Sequence, residues 1–316
     1  MNISINLVTK MKKIKKRWIG FIVICVVLFA GIFYVRAVMF DFIAQNTSEK
    51  KEHLEQYNEG ANYFAEFDIK KQQEFYDLLK QTSFKFIPNG LDYKINVMEP
   101  NLAGNAGLDL HNLDIADADL KPLISIPVVW INLSGTQITD DGLKILAEIK
   151  SLKYLYLNAT ALSGKPTKKI SDASIPFIAK MKKLEVLELI GSDITDKTII
   201  AIAENCKKIR HLGVGGPCID GSGFKAFSSD TLLEYVDCGG QKVDDKSIKY
   251  LAQMKNLKVV DFSFSNVTDK GLMLFTRSPK INRIGVECSA VTKRGVNKFI
   301  KKRKDVFIRI GMGIKD

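Results

Sequence analysis

Residues able to do chemistry are few and scattered in this chain of 316 residues. Its three histidines are His53, His111 and His211. None sits in a metal-binding helical spacing such as HExxH, where two imidazoles one turn apart share a face. The five cysteines, Cys25, Cys206, Cys218, Cys238 and Cys288, form no CxxC pair, so neither a zinc site nor a redox dithiol is indicated. Cys25 lies in an apolar run, and Cys238 falls where a small core residue is expected. The glycine-rich stretch GVGGPCIDGSG, Gly213–Gly223, departs from GxGxxG and is followed by no phosphate-binding lysine. It reads as small residues on the outer side of a strand. No nucleophile can be paired with a base. The expectation is a protein that is not an enzyme and carries no cofactor and no metal.

The remaining chemistry is recognition, and the elements that would position it repeat. VVWINLSGTQITDDGLKILAEIKS, Val128–Ser151, reads as a short apolar strand, a turn and a helix. The unit returns at Leu152, Leu184, Ile209, Leu233, Leu257 and Ile281. Four of the six steps between starts are 24 residues, one is 25 and one is 32. A fixed period in this range signals a solenoid, because one unit cannot bury its apolar set alone. Strand positions one, four and six point inward: Leu152, Leu155 and Leu157, then Leu184, Leu187 and Leu189. Their helix partners are spaced by three: Leu143 and Leu146, Ile175 and Ile178, Ile199 and Ile202, Phe224 and Phe227, Ile248 and Leu251, Leu272 and Phe275, Val296 and Phe299. Thr139, Ser171, Thr195, Asp220, Asp244, Thr268 and Thr292 stand where a helix N-cap is needed. Asp140, Asp172, Asp196, Asp245 and Asp269 follow a cap, where the helix dipole favours negative charge.

The LxxLxL pattern followed by ITDxGLxxL resembles the leucine-rich repeat. ITDKTIIAIAENCKKIRHL, Ile194–Leu212, is similar to the cysteine-containing and ribonuclease-inhibitor-like classes, although only Cys206 keeps the helix cysteine. The resemblance covers about residues 104–311. It implies an α/β solenoid, with a curved parallel sheet on the concave face, that recognises something.

Strand positions three and five leave the core and line that concave face. The residues expected there as a binding surface are His111, Trp130, Asn132, Tyr154, Tyr156, Glu188, His211, Tyr235, Asp237, Asp261 and Arg283. An aromatic cluster of Trp130, Tyr154 and Tyr156 would border an acidic stretch of Glu188, Asp237 and Asp261. Such a face suits a protein or peptide partner with basic residues. Alternatively, it suits a glycan or cell-wall polymer, held by stacking on the rings.

Outside the repeats, residues 1–17 form a basic flank. Trp18–Val35 carries no charge over eighteen residues, and 18–40 reads as a transmembrane signal anchor; the rival reading is a cleaved signal peptide, with Val35-Arg36-Ala37 as a weak small-residue site. Six basic residues precede the run and only Arg36 closely follows it, which places the N-terminus in the cytoplasm. Residues 41–103 show helical spacing at Leu54, Tyr57, Ala61 and Phe64 and at Phe75, Leu78 and Leu79, and read as a stalk and N-terminal cap. Residues 104–316 are the repeat domain. SGKPTKK, Ser163–Lys169, reads as an inserted loop, and VFIRIG, Val306–Gly311, as a closing strand. The net charge of +12 gathers at the ends. Residues 1–36 hold seven basic groups and no acid, residues 293–316 nine basic and two acidic, and residues 37–292 are left with 31 basic and 33 acidic. Nucleic acid is therefore not the indicated partner of the body.

The sequence thus points to a membrane-anchored, single-pass protein whose repeats form an interaction module in the periplasm or at the cell surface. Protease added to intact cells or spheroplasts is expected to remove the repeat domain and leave a membrane stub. A repeat domain protected until the membrane is dissolved would overturn that topology.

Overall fold

A computed structural model describes residues 107–159 and 170–311, together with the single positions Asp77 and Gln81. The basic flank, the apolar segment 18–40, the helical region 41–103 and the inserted loop 163–169 lie outside the described residues. Among the described residues no helix is long and apolar enough to cross a membrane.

Nine three-residue strands form one all-parallel sheet in sequence order: β1 Gly107–Asp109, β2 Trp130–Asn132, β3 Tyr154–Tyr156, β4 Val186–Glu188, β5 His211–Gly213, β6 Tyr235–Asp237, β7 Val259–Asp261, β8 Arg283–Gly285 and β9 Phe307–Arg309. The register follows the repeat, so Ile131, Leu155, Leu187, Leu212, Val236, Val260, Ile284 and Ile308 stand side by side. A parallel sheet needs a crossover between strands. Here each crossover is a helix of four to ten residues or a 3₁₀ segment, because a 24-residue unit leaves room for little more.

One continuous core runs between the sheet and the helices, with strand positions one, four and six buried. Leu143, Leu146, Ile178, Ile199, Ile202, Phe224, Ile248, Leu251, Leu272, Phe275, Val296 and Phe299 meet them as expected. Ile175 and Phe227 are only half-buried, Phe227 packing against the edge of the core. In the fifth unit the helix shrinks to the 3₁₀ segment Ser222–Ala226, entered through Gly221 at φ 81°. The segment ends at Ala226, so Phe227 follows it in extended backbone and packs on the core edge beside Phe224. At the far end Ile310 is 48 % exposed, so the closing strand covers the core only in part.

Six of the seven expected caps are present; the exception is Asp220, because Gly221 takes the cap position of that segment. The side chains of Thr139, Ser171, Thr195, Thr268 and Thr292 accept from backbone N–H groups of their own first turns. Asp244 does the same, and the Asp220 carboxylate accepts from Ser222 N–H. The aspartates that follow the caps have a role beyond the helix dipole. Each reaches forward into the next unit. Asp172 accepts from Thr195 N–H at 2.8 Å and Thr195 Oγ1 at 2.6 Å. Asp140 binds Ser171 at 2.9 and 2.6 Å, Asp245 binds Thr268 at 2.8 and 2.6 Å, and Asp269 binds Thr292 at 2.8 Å twice. Asp117 holds Thr139 in the same way. This two-point clasp also explains the glycine of ITDxGLxxL. A Cβ on Gly295 would lie 2.0 Å from Asp269 Oδ1, and one on Gly271 would lie 2.4 Å from Asp245 Oδ1.

The energetics give two expectations for chemical denaturation. Leu187→Ala, fully buried in mid-array, should cost about 2–5 kcal/mol. Gly295→Ala should cost about 1–3 kcal/mol by displacing the Asp269 carboxylate, although glycine is the poorer helix former. A stabilising Gly295→Ala would contradict the clasp.

Candidate functional site

The face of the sheet turned away from the helices carries strand positions three and five, as the alternation requires. The structure divides the expected binding residues into two groups. Trp130 and Tyr154 are 5 % and 3 % exposed and form a separate apolar cluster with Val186, flanked by Val129 and Tyr156. Strands about 4.8 Å apart set these large side chains in one ladder, where they cover each other. The indole also lies across Gly107, where a Cβ would meet its ring at 1.6 Å, and the Tyr154 hydroxyl is 3.3 Å from Glu185 Oε2. The expected exposed aromatic cluster is therefore a second small core. Only Tyr156 keeps part of its surface.

The second group is polar. His211, 3 % exposed, places Nε2 2.9 Å from Glu188 Oε1 and stacks on Tyr235 with ring centroids 4.0 Å apart. Asp237 and Asp261 stand beside each other at position five of adjacent strands. Asp261 is 8 % exposed; it accepts from Ser263 N–H at 2.9 Å and pairs with Arg309 of the last strand. That pairing spans Gly285, where a Cβ would lie 2.4 Å from Asp261 Oδ2. Arg309 also reaches Glu287 at 3.2 Å.

Burial, followed by the nearby Asp261 and Glu188 charges and set against a hydrogen bond from Gly239, pushes the Asp237 carboxyl up to about 6. Burial and the same carboxylates push the Tyr235 phenol above its ordinary range. Burial also raises the Cys206 thiol to about 11 and the Cys238 thiol well above its usual value. Neither is a nucleophile, and Cys238 is the small core residue the sequence suggested. Among the described residues no group of three His, Cys, Asp or Glu is placed to hold a metal ion.

Several position-five residues have local duties. Asn132, Asp237 and Asp261 each accept from the N–H two residues on, turning the chain out of its strand. Asp109 does likewise toward His111 N–H at 3.4 Å, and its carboxylate lies 2.6 Å from His111 Nδ1. His111 sits beyond the strand, away from the central group, because β1 runs from Gly107 to Asp109. Arg283 is exposed at position three between Val259 and Phe307. Arg309 was not among the expected residues. Its signal was present in VFIRIG, where an inward Ile308 makes its successor a position-five residue.

The arrangement is an acceptor-rich strip from Glu188 to Asp261, with Arg309 at one end. It has the chemistry to receive guanidinium or ammonium groups. The family profile described as leucine-rich repeat matches residues 131–147 and 253–275. Among solved structures, internalin C2 from Listeria monocytogenes aligns at 17% identity and a TM-score of 0.48, over 65% of this chain and 80% of its own. An internalin designated inlF from the same organism aligns at 17% identity and 0.47, over 66% of this chain and 54% of its own. No curated protein matches the chain.

The raised Asp237 carboxyl makes stability pH-dependent. The folded state binds this proton more tightly than the unfolded chain, so stability falls as pH rises from about 4 to about 6. Asp237→Asn keeps the acceptor for Gly239 and removes the charge. It should flatten that part of the profile and raise stability by about 1–2 kcal/mol near pH 7. A denaturation series across pH checks both, and an unchanged profile would contradict them.

Proposed function

This chain is a leucine-rich repeat protein, and on that premise we propose that it is a membrane-anchored interaction module that binds a basic segment of a protein partner outside the cytoplasm. The anchor in this reading is 18–40, supported by its length, its lack of charge and the basic residues before it. The binding strip is the Glu188–Arg309 half of the sheet face. A single observation carries the reading. Three carboxylates, Glu188, Asp237 and Asp261, line up at position five with glycine at 213 and 285 in the same row, and the cationic side chain set against them is Arg309, on Asp261. Burial first, and the neighbouring Asp261 and Glu188 charges after it, raise the Asp237 carboxyl to about 6, so its ionised form is held at a cost. An incoming cation relieves it.

The glycan alternative drew its support from exposed rings. With Trp130 and Tyr154 buried, the rings left for sugar stacking on the described face are the half-exposed Tyr156 and Tyr235 and, apart from them at the last strand, Phe307. The basic-peptide reading is accordingly the one we adopt.

An unbiased pull-down with the full-length protein, repeated with Asp237→Asn/Asp261→Asn, tests it. The double variant should lose its basic partner by at least about tenfold in affinity, most clearly at low salt. Tyr154→Ala should act through stability instead. A partner retained equally by wild type and the double variant would remove the strip from consideration.

A further inference from the structure

The order of the fold sorts charge. All strands are parallel and each is followed by a returning helix, so every helix-to-strand connection lies on one rim and every strand-to-helix connection on the other. The eight connections leading from a helix into a strand, 126–129, 147–153, 179–185, 206–210, 227–234, 253–258, 278–282 and 301–306, hold fifteen Lys or Arg and five Asp or Glu. The fully described return connections, 110–116, 133–139, 189–195, 214–221, 238–244, 262–268 and 286–292, hold one basic and five acidic residues.

The five acids of the basic rim are all engaged. Glu148 and Glu185 pair with Lys150 and Lys153 at 3.5 and 3.1 Å, and Asp230 with Lys255 at 2.7 Å. Glu234 takes both Arg210 and Lys258, and Asp305 takes Arg303. The surplus is therefore uncompensated, and it is carried by exposed lysines such as Lys182, Lys207, Lys301 and Lys302. Complementing the helix dipoles needs cations only in the last turn. Lys258, Lys280 and Lys304 lie past it.

Of the eight exposed large apolar side chains among the described residues, Leu113 and Phe264 lie on the return rim and four lie at or beside this one. Ile124 and Ile300 end their helical segments, Leu232 sits within 227–234, and Phe307 opens the last strand; they are 40–62 % exposed. Nine strands at about 4.8 Å make this rim about 38 Å long. We propose that the helix-to-strand rim of the repeat domain docks on an anionic lipid bilayer. Surplus lysine meets the headgroups there, and the scattered aliphatic and aromatic groups reach the acyl boundary. Single-stranded nucleic acid is the less fitting polyanion, because it needs successive aromatic platforms and the described rim offers the exposed Phe307 and the half-buried Phe227, which lie three strands apart. The proposal concerns a surface apart from the carboxylate strip and does not depend on the 18–40 anchor.

The test uses the full chain with vesicles of phosphatidylcholine alone, or of equal parts phosphatidylcholine and phosphatidylglycerol. Lysine acetylation is read residue by residue by mass spectrometry. Labelling of Lys182, Lys207, Lys301 and Lys302 should slow about threefold or more on the mixed vesicles and recover at high salt. Lys246 and Lys270, at helix starts, should be unaffected. Lys301→Glu/Lys302→Glu/Lys304→Glu should abolish the contrast at Lys182 and Lys207 while circular dichroism stays unchanged. Equal labelling on both vesicles overturns the proposal, as does protection by RNA or heparin without protection by anionic vesicles. An anchor holds the chain on neutral vesicles too, so recovery with phosphatidylcholine alone reads the anchor separately from the rim.

Discussion

A carboxylate that closes on the cap of the following unit is the contact on which this array depends. Solenoid units are held by a shared core, but apolar contact is non-directional and tolerates sliding. The clasp between Asp172 and Thr195, repeated at Asp117, Asp140, Asp245 and Asp269, is directional. It fixes two donors on one residue, the N–H and the hydroxyl. Burial alone would raise the Asp172 carboxyl. The hydrogen bonds from Thr195 and Thr198 outweigh it and hold the group below its ordinary value. The charged form is thus the one the fold selects, so this part of the stability is present at neutral pH and lost as pH falls through the carboxylate range.

The clasp has one gap, and it coincides with the irregular unit. Asp196 still reaches forward, to the backbone N–H groups of Asp220 and Gly223, but its side-chain neighbour there is the Asp220 carboxyl in place of a hydroxyl. Gly221 then stands where a carboxylate should, and Asp244 turns to its own Ser247 instead. The same unit has a 3₁₀ segment and no α-helix, and the half-buried Phe227. An open surface groove of about 250 Å³ lies beside it, lined by Cys206, Ile209, Phe227 and Leu232. Elsewhere the regular register keeps position five in line across the sheet, which brings Asp237, Asp261 and Arg309 into one strip.

Much of this was legible in the sequence, for a physical reason. A period of 24 with apolar positions one, four and six leaves a strand–helix solenoid as the arrangement that buries every unit. The caps were legible because Ser, Thr and Asp at a helix start have one dominant use. The clasp was not. Its partners lie one unit apart, and the helix dipole explains an aspartate after a cap equally well. The site was half legible. Alternation placed Trp130 and Tyr154 on the correct face, but it says nothing of how far large neighbours in adjacent strands bury each other. Arg309 was overlooked because its strand was read as a closure and not as a ninth copy of the pattern.

A double-mutant cycle on Asp245 and Thr268 tests the central claim most directly. Asp245→Ala, Thr268→Ala and the double variant would be compared in equilibrium denaturation near neutral pH. The account predicts a coupling of about 1–3 kcal/mol, since each variant alone leaves half of a directional pair unsatisfied. Additivity within about 0.3 kcal/mol would mean that the two residues act separately, as helix-dipole charge and local cap, and that the array is held by its apolar core alone.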